Sequence, residues 1–151
     1  MIKVTLILLL ISFSLFAQEE AKKRLFDPER DPAEDLKSAI SVATYEHKKI
    51  ILDVGGDWCV WCRRMDEFIN SNAELKNFLD SHFILLKVNF SKENENREFL
   101  GRFPEIKGYP HLFVLDKSGE LLHSQDTAEL EENKGYSLDK FMAFLTKWAE
   151  H

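Results

Sequence analysis

The chain has 151 residues, 44% hydrophobic and 30% charged, the balance of one soluble globular domain rather than of a disordered, collagenous or polytopic membrane protein. Its 20 Lys and Arg against 26 Asp and Glu leave a net charge of -6, so no basic surface is offered to nucleic acid or anionic lipid. Six Gly, four Pro and two Cys argue against a low-complexity chain and against a disulfide scaffold, and no repeat suggests a solenoid.

Met1 to Lys3 is a short positive start, the thirteen residues Val4 to Phe16 are almost wholly apolar, and Ala17-Gln18 opens a polar stretch. This is the three-part pattern of a secretory signal peptide, 1–17, cleaved after Ala17. A retained membrane anchor is the alternative, because Leu15 rather than a small residue stands three before the break. The apolar run covers roughly 20 Å as a helix against a hydrocarbon core of about 30 Å, which favours the signal peptide. Removing 1–17 takes away Lys3 and no acid, so the charge moves from -6 to -7. The expected product is exported to the periplasm, with no membrane contact beyond the signal segment and an oligomeric state left open.

Residues 18–30 are polar and charged, an extended lead-in whose Leu25 and Phe26 can tuck against the domain that follows, 31–151. Asp31-Pro32-Ala33-Glu34 combines a capping acid, a proline at the first helical position and a reciprocal acid, and Leu36, Ile40 and Ala43 then repeat on one face, which predicts a helix to about Glu46. Lys49 to Val54 is a short β-branched run ending at Gly55-Gly56, a buried strand. From Cys59 onward Met65, Phe68 and Ile69 recur at helical spacing, Ser71-Asn72 interrupts, and Leu75, Phe78 and Leu79 continue, a broken helix. Phe83 to Phe90 reads as a strand, Glu95 to Arg102 as a helix, and His111 to Asp116 with Glu120 to Ser124 as a hairpin about Lys117-Ser118-Gly119. Asp126 to Gly135 is acidic and irregular, either a solvated insertion or a rim that selects partners. Ser137 caps a last helix carrying Leu138, Phe141, Leu145 and Trp148 on one face. Strands separated by helices pair in parallel and the hairpin pairs antiparallel, so the fold class is α/β, a mixed central β-sheet flanked by helices with an extra N-terminal helix.

Chemistry concentrates at Trp58-Cys59-Val60-Trp61-Cys62. A disulfide across so short a loop stabilises by only ~2 kcal/mol, a poor staple. Two thiols held this close instead make the second an intramolecular attacker on any mixed disulfide formed by the first. Placing Cys59 where a strand and a Gly-Gly turn feed a helix puts its sulfur at unpaired backbone N–H groups and lowers its pKa. Cys59 is therefore the expected nucleophile and Cys62 the resolving thiol. A structural zinc site would need His82, His111 and His123 to converge on the pair, and no second pair has ligand spacing, so no metal is expected.

With the strand, the Gly-Gly turn, the Trp-Cys-x-x-Cys run and the broken helix in place, the chain resembles the thioredoxin superfamily from about Asp31 to His151, and the resemblance implies the thioredoxin fold. It implies a buried acid at Asp53, six residues before Cys59, that takes the proton of Cys62. It likens Lys87-Val88-Asn89 to the end of the central strand, whose lysine neighbours that acid, and Lys107-Gly108-Tyr109-Pro110 to a loop with a cis proline at Pro110 facing the disulfide. A buried Asp53 has a pKa raised by desolvation and suits a general base. Lys87 either modulates that acid or is a strand-end surface charge. Trp58 and Trp61 either form an apolar platform for polypeptide or belong to the core. Tyr109 and the Pro110 backbone can pair with an extended substrate, and His111 either tunes the thiolate or is a plain sheet residue.

Val60-Trp61 stands where thioredoxins carry Gly-Pro, and the histidine that oxidising members place before the second cysteine is missing. The chain is similar here to periplasmic reductases of the DsbD type, which implies a reducing couple, acting on protein thiol or disulfide substrates. No cofactor is expected, and an upstream dithiol protein must donate electrons because no dinucleotide-binding glycine pattern is present. The alternatives are an oxidase or isomerase of the same fold, and a non-catalytic peptide-binding module.

Overall fold

A computed structural model describes residues 24–149; the expected signal peptide and residues 18–23 of the lead-in lie outside the described residues. The elements are α1 (Pro32–Glu46), β1 (Lys49–Gly55), α2 (Val60–Ser71), α3 (Ala73–His82), β2 (Phe83–Asn89), α4 (Arg97–Leu100), β3 (His111–Leu115), β4 (Leu121–Asp126), a 3-10 turn over Thr127–Leu130, β5 (Glu131–Glu132), β6 (Gly135–Tyr136) and α5 (Leu138–Ala149). The main sheet has the order β2-β1-β3-β4, and β5 and β6 form a separate small hairpin. β1 and β2 pair in parallel, as strands joined through helices do, whereas β1 with β3 and β3 with β4 are antiparallel. This is a mixed sheet flanked by helices with α1 ahead of it, the thioredoxin-type α/β architecture. No helix of the described residues is long and apolar enough to cross a membrane.

Local chemistry sets the element ends. The Asp31 carboxylate accepts the Ala33 N–H at 2.9 Å and Pro32 occupies the start of α1, which closes at His47 in the left-handed region. β1 reads as a continuous apolar run because helices cover both of its faces. Ile50, Leu52 and Val54 pack with Leu36, Ala39 and Ala43 of α1, while Ile51 packs with Met65 of α2, Leu75 and Leu79 of α3 and Leu145 of α5. Asp53 alternates onto the face of Ile51. A charged group is thereby delivered beneath α2.

Three expectations are corrected. The helix expected over Glu95 to Arg102 is only the single turn α4, because Asn94 and Asn96 bond locally instead: Asn94 Oδ1 accepts the Asn96 N–H at 3.0 Å and Asn96 Nδ2 donates to the Asn89 carbonyl at 2.7 Å. The second strand of the late hairpin runs Leu121–Asp126 rather than Glu120 to Ser124, since Asp116 Oδ1 holds the turn through the Ser118 and Glu120 N–H groups and the register shifts at Val114/Leu115. The stretch after Asp126 is solvated only in part, exposed at Ala128, Glu129 and Glu132 to Lys134 but anchored in the core. Thr127, Leu130 and Tyr136 are buried, their spacing too irregular to register as a face in the sequence.

Candidate active site

The end of β1 brings the backbone unusually close to the cysteines. A Cβ on Gly55 would stand 2.5 Å from Cys62 Sγ and 3.0 Å from Phe26 Cζ, and one on Gly56 would meet the Trp58 ring and lie 2.7 Å from the Phe90 carbonyl oxygen. Only glycine permits this approach. Cys59 is the N-cap of α2, and its Sγ accepts the Cys62 N–H at 3.1 Å. The two cysteines are disulfide-bonded with Cα atoms 5.2 Å apart. Cys59 is 4% exposed and Cys62 not at all, so an incoming partner meets Cys59 first.

Beneath the pair, Asp53 and Lys87 lie opposite each other in the β1–β2 register. Lys87 Nζ donates to Asp53 Oδ2 at 2.9 Å and stands 3.0 Å from Asp66 Oδ1 of α2. Asp53 is fully buried and its Oδ1 has no hydrogen-bond partner among the described residues. Burial pushes its carboxyl above the ordinary value of 3.8, and the Lys87 ammonium offsets this only in part. Burial also works against the Lys87 charge, but the Asp53 and Asp66 carboxylates outweigh it and hold the ammonium above its ordinary range. Since the folded pKa of Asp53 exceeds the unfolded one, its contribution to stability is complete below about pH 4 and is lost as pH rises through the folded value. Asp53→Asn is therefore expected to flatten the fall of stability above about pH 4. Urea unfolding of the disulfide form across a pH series reads this; a profile that keeps the wild-type slope would contradict it.

The surroundings divide into an exposed rim and a buried seal. Trp58 is 55% exposed, its Nε1 donating to the Phe90 carbonyl at 2.7 Å and its ring edge-on to Tyr109 at 5.7 Å. Tyr109 stacks on Phe90 at 4.8 Å, and the peptide bond to Pro110 is cis. These residues form one aromatic wall. Trp61 turns away from them into the packing, against Tyr136 and under the Arg64 guanidinium. The seal is Phe26, 1% exposed, which packs on both cysteines and receives the Lys87 ammonium over its ring at 4.9 Å. Asp57 Oδ1 accepts the N–H groups of Leu25 and Phe26, each at 3.0 Å.

His111 sits in β3 with Nε2 2.8 Å from Ser124 Oγ, its ring against Phe113, and Nδ1 unpartnered among the described residues. Burial lowers its pKa, which keeps it neutral at physiological pH. His123 stacks on Trp148 and His82 on Phe78, so the three histidines are not brought together. Among the described residues no group of three or more His, Cys, Asp and Glu is placed to hold a metal. Asp66, Phe90, Asp57, Thr127 and Tyr136 were not singled out in the sequence. Of these only Asp66 left a signal, four residues after Cys62 and thus on its helical face.

A family model described as thioredoxin-like matches residues 31–117. The disulfide bond reductase DsbH of Chlamydia pneumoniae is 30% identical over 98 residues, 59% of this chain and 58% of that protein. The thiol:disulfide interchange protein DsbD of Actinobacillus pleuropneumoniae is 28% identical over 88 residues, 58% of this chain and 15% of that protein. The chain thus spans well under two thirds of these curated relatives. Among solved structures, a disulphide isomerase from Xylella fastidiosa superposes with a TM-score of 0.72 at 23% identity, over 84% of this chain and 98% of that one. The oxidised C-terminal domain of Neisseria meningitidis DsbD gives 0.57 at 18% identity, over 78% and 96%.

Proposed function

Because the chain belongs to the thioredoxin-like family, we propose that it is a thiol:disulfide oxidoreductase that reduces protein disulfides through Cys59 and Cys62. The observation that carries this reading is the cap geometry, in which Cys59 Sγ accepts a backbone N–H at the start of α2. The same N–H and the helix dipole stabilise a Cys59 thiolate once the disulfide is open. Lowering a thiol pKa from about 8.5 to roughly 7 raises its ionised fraction at neutral pH more than tenfold.

In the reducing direction the Cys59 thiolate attacks one sulfur of the substrate disulfide, forming a mixed disulfide and releasing the other substrate sulfur as thiolate. Cys62 then loses its proton to Asp53 and attacks Cys59 Sγ, closing the Cys59–Cys62 disulfide and releasing the second substrate thiolate. Two electrons leave the enzyme, and a dithiol protein upstream restores them by the reverse exchange. Asp53 suits the base because burial raises its proton affinity above that of an ordinary carboxylate. Lys87 and Asp66 lead from that buried carboxyl toward solvent. Trp58 and Tyr109 offer the apolar contact for substrate, with the Tyr109–Pro110 backbone as the pairing edge. The absence of an imidazole before Cys62 supports a reducing couple, as does the likeness to a disulfide bond reductase. Export through a signal peptide at 1–17 places this exchange on the periplasmic side.

Mixing the dithiol form with a disulfide-bonded protein tests the reading. The expected result is one substrate disulfide reduced per chain, with Cys59 and Cys62 becoming oxidised in step. Binding of the substrate without any release of thiols would show a peptide-binding module instead.

A further inference from the structure

The stretch from Asp126 to Tyr136 touches the redox site at both of its ends. At the first, Thr127, 2% exposed, donates its hydroxyl to the Pro110 carbonyl at 2.6 Å. Thr127 is itself held by the Asp126 cap, which accepts the Ala128 N–H at 3.0 Å, and by the pairing of Asp126 with His111. At the second end, the Tyr136 ring meets Trp61 edge-on at 5.7 Å and lies 5.9 Å from Phe68. The Tyr136 hydroxyl stands 3.5 Å from the Trp61 carbonyl. Burial raises the Tyr136 phenol, and the neighbouring Thr127 hydroxyl acts in the opposite sense. Thr127 thus braces the proline turn, and Tyr136 the start of the helix that carries Cys62. Ser137 N–H to the Leu130 carbonyl at 2.9 Å and Lys140 Nζ to the Glu131 carbonyl at 2.7 Å close the loop behind them.

We propose that Thr127 and Tyr136 are positioning residues for exchange with polypeptide disulfides, holding the Pro110 turn at a fixed place relative to Cys59. The proposal rests on the reading of the chain as a protein disulfide reductase. A substrate that pairs through its main chain with the Tyr109–Pro110 edge brings its disulfide to Cys59 only if edge and sulfur keep one relation, since displacement by about 1 Å can cost a hundredfold in rate. A small aliphatic disulfide has no main chain to pair and depends on the sulfur alone. Neither Thr127 nor Tyr136 enters the exchange chemistry itself, so their effect falls on the choice between these two substrate classes.

Thr127→Val keeps the shape and removes the donor, and Thr127→Ser restores it. Full-length variants in the dithiol form are compared with a short peptide closed by one disulfide and with hydroxyethyl disulfide. The ratio of kcat/KM for peptide over small disulfide is expected to fall about tenfold in Thr127→Val, through KM, and to recover in Thr127→Ser. Tyr136→Phe retains the ring and gives a second reading should the valine variant fold poorly; it is expected to lower the same ratio by a smaller factor. An unchanged ratio in both variants overturns the proposal, and so does an equal fall toward both disulfides, which marks a general loss of structure. Wild-type protein that reduces neither disulfide overturns the functional reading instead.

Discussion

Cys59→Ser is expected to lower disulfide exchange by about a thousandfold or more, to the uncatalysed background, because the remaining thiol, Cys62, is buried out of reach of a substrate disulfide. Cys59, 4% exposed, caps α2; Cys62 lies behind it without solvent access. Cys62→Ser should behave differently. Its Cys59 still attacks, but nothing resolves the product, so a covalent adduct with the substrate accumulates and is seen on non-reducing electrophoresis. Adducts on Cys62 in the Cys59→Ser protein would reverse the assignment of attacker and resolver.

Phe26→Ala is expected to cost about 3–5 kcal/mol, the range for removing a buried aromatic ring from a site that cannot collapse onto the space. The ring has 1% of its surface exposed and fills the space beside Gly55, both cysteines and the Lys87 ammonium. Its loss also uncovers Lys87, the partner of Asp53, and is expected to admit water to that pair. Burial is the largest cause of the raised Asp53 pKa, so the variant should show the carboxyl returning toward the ordinary range. Urea unfolding of wild type and variant reads the first effect, and the pH profile of stability reads the second. A loss below about 1 kcal/mol would mean that the lead-in is not docked on the site.

The parts of the site that local chain geometry dictates were legible in the sequence. A buried strand, two glycines and a cysteine at a helix start leave few options for where Cys59 and Cys62 lie, whereas the buried acid at Asp53 came from the family resemblance, and alternation along β1 is its physical reason in the structure. The sheet was legible for a similar reason, since the helices between β1 and β2 require a parallel pair and Ser118-Gly119 a tight antiparallel one. Other contacts depend on segments far apart in the chain. Tyr136 meets Trp61 across 75 residues and Asn94 meets the Pro28 carbonyl across 66, and no spacing rule reaches that far. Lys87 had two readings because a strand-end lysine is ordinary; its partnership with Asp66 emerges only when α2 lies over β2. Trp58 and Trp61 were equivalent in composition; Trp58 lies ahead of α2 at the rim, whereas Trp61 in its first turn is half-buried against the cysteines and Tyr136. The lead-in carried no periodic signal, yet two backbone N–H groups on Asp57 and one phenyl ring tie it to the redox site.

The equilibrium reduction potential of the Cys59–Cys62 pair bears most directly on the proposed activity. Titration against thiol buffers, followed by alkylation of the free thiols, separates the two directions of exchange, since a difference of 30 mV in a two-electron couple is about 1.4 kcal/mol. A protein disulfide reductase with no imidazole before its second cysteine should give a value below about -230 mV, toward the thioredoxin value near -270 mV. A value near -120 mV, that of a strong disulfide oxidant, would contradict the reducing role.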